Sequence, residues 1–480
     1  MSLAPAVLGL TLAVLRRCQP HERSTPLSTL LALGIKSGRL SLILRSLVLH
    51  LGYRQPVDSG LLGTLEDIRQ FAETPPAVKK TVQPAVCNSP VDFGKGGLLL
   101  SFGKADHGKL GHGDAQIHRT IPSVVETLQE VPLRRVASMS TYALAVSAEG
   151  VPFVWGSGGS STTSAAPRTD IFPQVLDALP PSVRVRDVSC GLGHALFLSD
   201  AGMVFSWGNG GNGRLGSGDT ADRAEAYFVR GLADEVVIAV QAGASHSLAL
   251  TEAGVLYSWG KNSQGQCGVG STDDLLRPAA VQIKGEGLIR VAAGWEHSLG
   301  LTKSGVVYSW GSGYKDSRRG IVPPVLGHGG CEGKALPEKI AFFESRQIRD
   351  IACGWDHCLA LDADGTVFSW GSGLNGKLGH GTESNAALPC AIESLREVKV
   401  SYIAAGCEHS AVIDASGRLY TFGLGDGGRL GHGDSSASLT PKMVDLLETM
   451  ELKAVQVYDH YCYSMTKLSH GRFIVEISLL

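Results

Sequence analysis

Along the 480-residue chain, apolar and polar positions alternate in short bursts rather than in long helical stripes. In Ser247-Leu248-Ala249-Leu250 the apolar residues alternate, Glu252-Ala253-Gly254 makes a short turn, and Val255-Leu256-Tyr257-Ser258-Trp259 returns. A period of two, broken by a loop of about three residues that closes on glycine, predicts a β-hairpin whose last loop residue takes a positive φ. The pattern repeats. Ser206-Trp207-Gly208 recurs as Ser258-Trp259-Gly260, Ser309-Trp310-Gly311 and Ser369-Trp370-Gly371, with weaker versions at Ser101-Phe102-Gly103, Val154-Trp155-Gly156 and Thr421-Phe422-Gly423. The seven glycines are separated by 53, 52, 52, 51, 60 and 52 residues. A second element, Gly243-Ala244-Ser245-His246-Ser247-Leu248, has counterparts at His194, His297, His357, His409 and His460. His194, His246, His297, His357 and His409 each lie 14 residues before their glycine, and Tyr142 takes that place before Gly156.

A unit of about 50 residues cannot bury its own faces, so the copies must stack. A ring of small sheets achieves this while leaving only short edges. Trp155, Trp207, Trp259, Trp310 and Trp370 are expected to fill space between neighbouring sheets, each followed by a glycine that lets the chain turn sharply. The two ends of the array are incomplete in complementary ways. Gly97 stands in hairpin register before Gly103, yet no histidine motif occupies Ser89; Asp459-His460 supplies that motif, yet Ile474 stands where a Trp-Gly belongs. Strands at about 94–103 and 454–466 are therefore expected to join in one composite blade. The reading is an all-β, seven-bladed propeller over 87–468 with a tail at 469–480. Residues 1–86 do not follow the repeat. The leucine-rich 27–51 and the stretch 64–71 predict a small N-terminal α-helical segment, and Thr74-Pro75-Pro76 begins a linker.

Cys353-Gly354-Trp355-Asp356-His357-Cys358-Leu359-Ala360-Leu361, with Gly365-Thr366-Val367-Phe368-Ser369-Trp370-Gly371 and Gly376-Lys377-Leu378-Gly379-His380-Gly381, resembles an RCC1 repeat, and the resemblance covers about residues 90–466. Residues 101–114 and 208–216 are most similar to the first RCC1-like domain of the giant HECT ubiquitin ligases. This implies a non-catalytic protein-interaction or regulatory propeller, the RCC1-like part of a HECT-ligase-like protein. Two alternatives come with it: guanine-nucleotide exchange on a small GTPase of the Arf, Rab or Ran type, and substrate recognition within a ubiquitin ligase. The family's Ran exchanger uses a β-wedge and a basic N-terminal tail, and neither is evident in this sequence. The residues after Thr466 are too few for a HECT domain, so no ligase chemistry is expected within the chain.

Composition narrows the setting. With 43 basic against 45 acidic residues, no sequence-wide attraction to nucleic acid arises. The ten cysteines include no CxxC pair, which favours a reducing cytoplasmic setting, with a membrane-associated cytosolic location at Golgi or endosomes as the alternative and the nucleus ranked last. The apolar run within the first 18 residues carries its arginines at the wrong end for a signal peptide and is too short to span a bilayer.

Three GxGxxG matches begin at Gly208, Gly371 and Gly423, but each runs into another turn rather than a helix, so they read as loop geometry and not as dinucleotide sites. The repeat histidines sit one per blade and are expected to hydrogen-bond tight turns within or between blades, as are His112, His328, His380 and His432. Cys190, Cys353 and Cys407 read as small apolar core residues. No catalytic constellation, metal site or cofactor is expected. Departures from the repeat carry more information. From Gly311 to Leu326 there are fifteen residues where Gly208 to Leu215 takes seven, and the extra stretch holds Tyr314, Lys315, Asp316, Arg318 and Arg319, the candidate partner-contact residues. The Ser/Thr/Gly stretch 157–168 replaces another turn.

Overall fold

The computed structural model describes residues 98–139, 141–157, 169–313, 324–447, 452–457 and 461–466. The expected N-terminal helical segment, the loop residues Tyr314, Lys315, Asp316, Arg318 and Arg319, and His460 lie outside the described residues.

The described strands form seven four-stranded antiparallel sheets. The helical elements among the described residues are three-residue 3-10 turns, so this part of the chain is an all-β propeller. Six sheets are built from consecutive strands, and we number them by residue span: sheet 1 (133–175), sheet 2 (185–228), sheet 3 (237–281), sheet 4 (288–339), sheet 5 (348–391) and sheet 6 (400–443). In sheet 2 the strands run outward as Val185–Cys190, His194–Ser199, Val204–Gly208 and Arg223–Phe228. Sheet 7 is different. Its inner half is Leu452–Val457 and Tyr461–Thr466, and its outer half is Leu99–Gly103 and Arg119–Val124. Leu99 lies opposite Met465, and Gly103 lies opposite Tyr461. The inner strand of each sheet contacts the inner strand of the next, and that of sheet 7 returns to sheet 1.

The second strand of each of sheets 1 to 6 is buried at all six positions. Burial on both faces explains why these strands read as near-continuous apolar and small residues. The period of two then divides the side chains between two cores. In His194–Ser199, Ala195 and Phe197 pack toward sheet 1, while Leu196 and Leu198 pack toward sheet 3 with Val237, Ala249 and Trp259. Each strand thus serves two inter-sheet interfaces. The hairpin glycine Gly254 has φ +79°, as its place at the end of a short loop requires. Gly260, after the tryptophan, has φ +100°, and a Cβ there would fall 2.6 Å from the Ser245 carbonyl oxygen.

Candidate functional site

The repeat histidines stitch one sheet to the next. Nε2 of His194 lies 3.1 Å from Ser247 Oγ, that of His246 lies 3.0 Å from Ser298 Oγ, and that of His357 lies 2.8 Å from Ser410 Oγ. Each serine hydroxyl donates in turn to a carbonyl of the histidine's own sheet: Ser247 to Arg214, Ser298 to Gln266 and Ser410 to Lys377. A hydroxyl has one proton to give. The histidine must therefore be the donor, through a neutral ring protonated on Nε2. Burial agrees with neutrality, holding the pKa of His194 and His357 well below 6.5 and that of His246 at about 3. His409 begins its strand at the same position, and Tyr142 replaces the ring with a phenol that donates to the His194 carbonyl at 2.5 Å.

Four repeat tryptophans also cross from one sheet to the one before it. The indole N–H of Trp155 donates to Lys109 O, of Trp259 to Arg214 O, of Trp310 to Gln266 O and of Trp370 to Val325 O, at 2.8–2.9 Å. Trp207 instead donates to Ala224 O in its own sheet. The unit before it carries the 157–168 stretch in place of the turn that supplies the acceptor elsewhere. His112, His328 and His380 bond the hydroxyls of Ser101, Ser309 and Ser369, and His432 bonds that of Thr421. These residues are committed to building the scaffold.

The irregular residues gather at the boundary of sheets 4 and 5. The loop residue three places before the histidine is followed by Leu192, Ala244 and Cys407 in three units, but by Trp295 and Trp355 in two consecutive ones. Their rings stack with centroids 4.2 Å apart and planes 20° apart, both half-buried. The buried Nε1 of Trp355 has no hydrogen-bond partner. Acidic residues stand beside them. Lys261 Nζ lies 2.5 Å from Glu296, and the buried Lys377 Nζ lies 2.6 Å from Asp356 and 2.7 Å from Glu408. Burial alone would lower the Lys377 pKa, but Asp356 and Glu408 outweigh it and raise the value. Burial pushes the Asp356 carboxyl up despite the attraction of Lys377. The lengthened loop springs from this place: Gly311 pairs with His297, and Ser312 N–H donates to Glu296 O at 2.8 Å. The two tryptophans were visible in sequence as Gly-Trp-Glu-His and Gly-Trp-Asp-His, yet repetition drew attention to the histidines instead.

Cys353 packs half-buried against the core between sheets 4 and 5 and also lines the central channel. It faces Cys358 across a strand pair, and His297 Nε2 of sheet 4 lies 3.2 Å from Cys358 Sγ. Burial would raise the Cys353 pKa, but hydrogen bonding from Cys358 and the nearby His297 lower it, while burial raises that of Cys358. The channel has an open volume of about 1040 Å³ and is lined by the inner strands. Polar pairs lock those strands together, with Arg135 2.6 Å from Asp187 and Arg290 bound to Asp350.

Comparison with known proteins places this architecture. The model of the Regulator of chromosome condensation (RCC1) repeat matches residues 96–146, 201–250, 253–301, 304–361, 364–413 and 416–458. The Ultraviolet-B receptor UVR8 of Arabidopsis thaliana is 31% identical over 385 residues, covering 80% of this chain and 85% of that protein. The E3 ubiquitin-protein ligase HERC2 of Homo sapiens is 31% identical over 357 residues, covering 73% of this chain but 7% of that protein. Among solved structures, Prp20p of Saccharomyces cerevisiae has a TM-score of 0.68 at 19% identity, over 82% of this chain and 97% of that one. Human WBSCR16 has a TM-score of 0.66 at 24% identity, over 77% and 99%. Fold, repeat and sequence thus agree: the chain belongs to the RCC1 repeat family.

Proposed function

We propose that the chain is a non-catalytic protein-interaction propeller whose seven sheets act as blades of one ring and whose contact surface is the boundary of sheets 4 and 5. The observation that carries this reading is the half-buried Trp295–Trp355 stack, with an indole N–H that has no acceptor. Tryptophans in such settings dominate binding energy, and an unsatisfied donor beside them favours a partner that brings a carbonyl or carboxylate. The lengthened stretch that carries Tyr314, Lys315, Asp316, Arg318 and Arg319 leaves the ring at Gly311 and Ser312, beside Glu296, and these residues are proposed as its partner contacts. The similarity to the E3 ubiquitin-protein ligase HERC2 supports a place for such a module within a larger ligase-like regulator. The setting proposed for it is the cytoplasm, and the partner proposed is a small GTPase or a component of the ubiquitin pathway.

The test measures binding of the full chain to Ran, Arf and Rab GTPases and to ubiquitin-pathway proteins, alongside release of fluorescent GDP. Trp355→Ala is expected to weaken the captured partner by at least about tenfold with an unchanged urea midpoint, and charge reversal at Arg318 and Arg319 to slow association. Equal binding by wild type and Trp355→Ala would remove this surface from consideration. Accelerated GDP release would replace the pure docking role with nucleotide exchange on a small GTPase, the alternative that the RCC1-repeat resemblance implies.

A further inference from the structure

We propose that His297, Cys353 and Cys358 form a binding site for a thiophilic d10 cation, Zn²⁺ or Cu⁺, that pins sheet 4 to sheet 5. One nitrogen and two sulfur atoms converge there, all within 4.8 Å of one another. His297 and Cys358 are buried, and His297 comes from a different sheet from the two cysteines.

Sheet 5 is set apart by sulfur at both of two paired positions. The positions of Cys353 and Cys358 hold Ser138 and Ala143 in sheet 1, Cys190 and Ala195 in sheet 2, Ala242 and Ser247 in sheet 3, Ala293 and Ser298 in sheet 4, Ala405 and Ser410 in sheet 6, and Val457 and Cys462 in sheet 7. A serine hydroxyl receives the histidine N–H at the neighbouring boundaries, so one hydroxyl completes the stitch. Two thiols at one boundary, both beside the imidazole, exceed that requirement and make a donor set for soft or borderline ions, one that Mg²⁺ and Ca²⁺ disfavour.

The strand register brings the thiols together. Gly354 N–H donates to His357 O at 2.8 Å, making that pair hydrogen-bonded. The adjacent Cys353–Cys358 pair is then the close, non-hydrogen-bonded kind, with both side chains on one face. Bonds of about 2.3 Å to sulfur and about 2.0 Å to nitrogen place tetrahedral ligand atoms roughly 3.5–3.8 Å apart, a rotamer adjustment away from the present arrangement. Both sulfurs bind as thiolates, and each thiol that still carries its proton releases it to solvent. With Zn²⁺, two thiolates and a neutral imidazole give a site of zero net charge, which suits burial. Cys353 lines the channel, so the ion and a fourth ligand, a water, enter from there.

The test uses the reduced full chain loaded with Zn²⁺ or Cu⁺ in competition with a chromophoric chelator, and Co²⁺ as an optical probe. One ion per chain should be retained, Co²⁺ should show thiolate charge-transfer absorption, and the ion should raise the thermal midpoint. Cys358→Ser and Cys353→Ala each install a residue the repeat uses at that position elsewhere. Both should keep the metal-free urea midpoint and lose the bound ion together with the absorption band. Retention of Cu⁺ alone would uphold the site and assign its ion. Failure of the reduced wild type to retain either ion, undiminished retention by both variants, or a Cys353–Cys358 disulfide with no ion bound after reduction would each overturn the proposal. Partner binding through Trp355 is read in a separate assay and stands or falls independently.

Discussion

Ser298 holds two sheets together with a single hydroxyl, accepting from His246 and donating to the Gln266 carbonyl. Removing it in Ser298→Ala leaves the buried His246 N–H without its acceptor, while the Gln266 carbonyl keeps the Trp310 indole, at a cost of about 1–3 kcal/mol, read as a lower urea midpoint. Ser298→Cys is expected to cost less, because Cys358 already receives a histidine in this way. The histidines make stability depend on pH. Unfolded imidazole takes a proton near pH 6.5, whereas buried His246 waits until about pH 3 and His194 also titrates well below its ordinary value. Between those values the unfolded chain binds more protons, so stability is greatest above about pH 6.5 and falls as the pH drops. Urea midpoints at pH 7 and pH 5 should differ in that direction, and His246→Gln should flatten the slope; a slope unchanged by the substitution would show that His246 is not a neutral donor. At this scale the scaffold was legible. Trp259, His246 and Gly260 recur at fixed intervals because their counterparts perform the same task at several boundaries. The metal-ligand candidates were hidden, since Cys353 and Cys358 meet through hairpin register and His297 joins them only when two sheets pack.

Sheet 7 shows what a single strand contributes. Leu99–Gly103 lies between Tyr461–Thr466 and Arg119–Val124 and pairs with both. Phe102 and Leu100 from this strand fill the core against sheet 6 with Leu447 and Val455. Deleting 99–103 would open two strand edges and empty that core, so we expect loss of the cooperative thermal transition. Trimming after Thr466 removes none of the seven sheets' strands and should leave the transition near its original temperature. Equal tolerance of the two truncations would mean that sheet 7 contributes little to the ring. The missing half-units in the sequence pointed to these two segments; strand order and residue register required the backbone pairing itself.

Across the whole molecule, regularity and irregularity divide the labour. Six consecutive-strand sheets repeat one strand order, while the tryptophan stack, the paired thiols and the root of the long loop share the boundary of sheets 4 and 5. The long loop was conspicuous in sequence because it breaks the interval, but the placing of its root at Ser312 beside Glu296 and the tryptophan stack depends on strand pairing and the packing of two sheets, which linear spacing does not encode. The composite sheet adds a consequence in time. A ribosome delivers Leu99–Gly103 first among the described strands and Tyr461–Thr466 last. Six sheets can assemble as they emerge, from local hairpins, while the early strand waits with one side unclaimed for more than 350 residues of synthesis. Such distant partners meet slowly, and an unclaimed strand edge invites wrong pairing. The junction that completes the circle is therefore also the step at which the nascent protein is most exposed to misassembly.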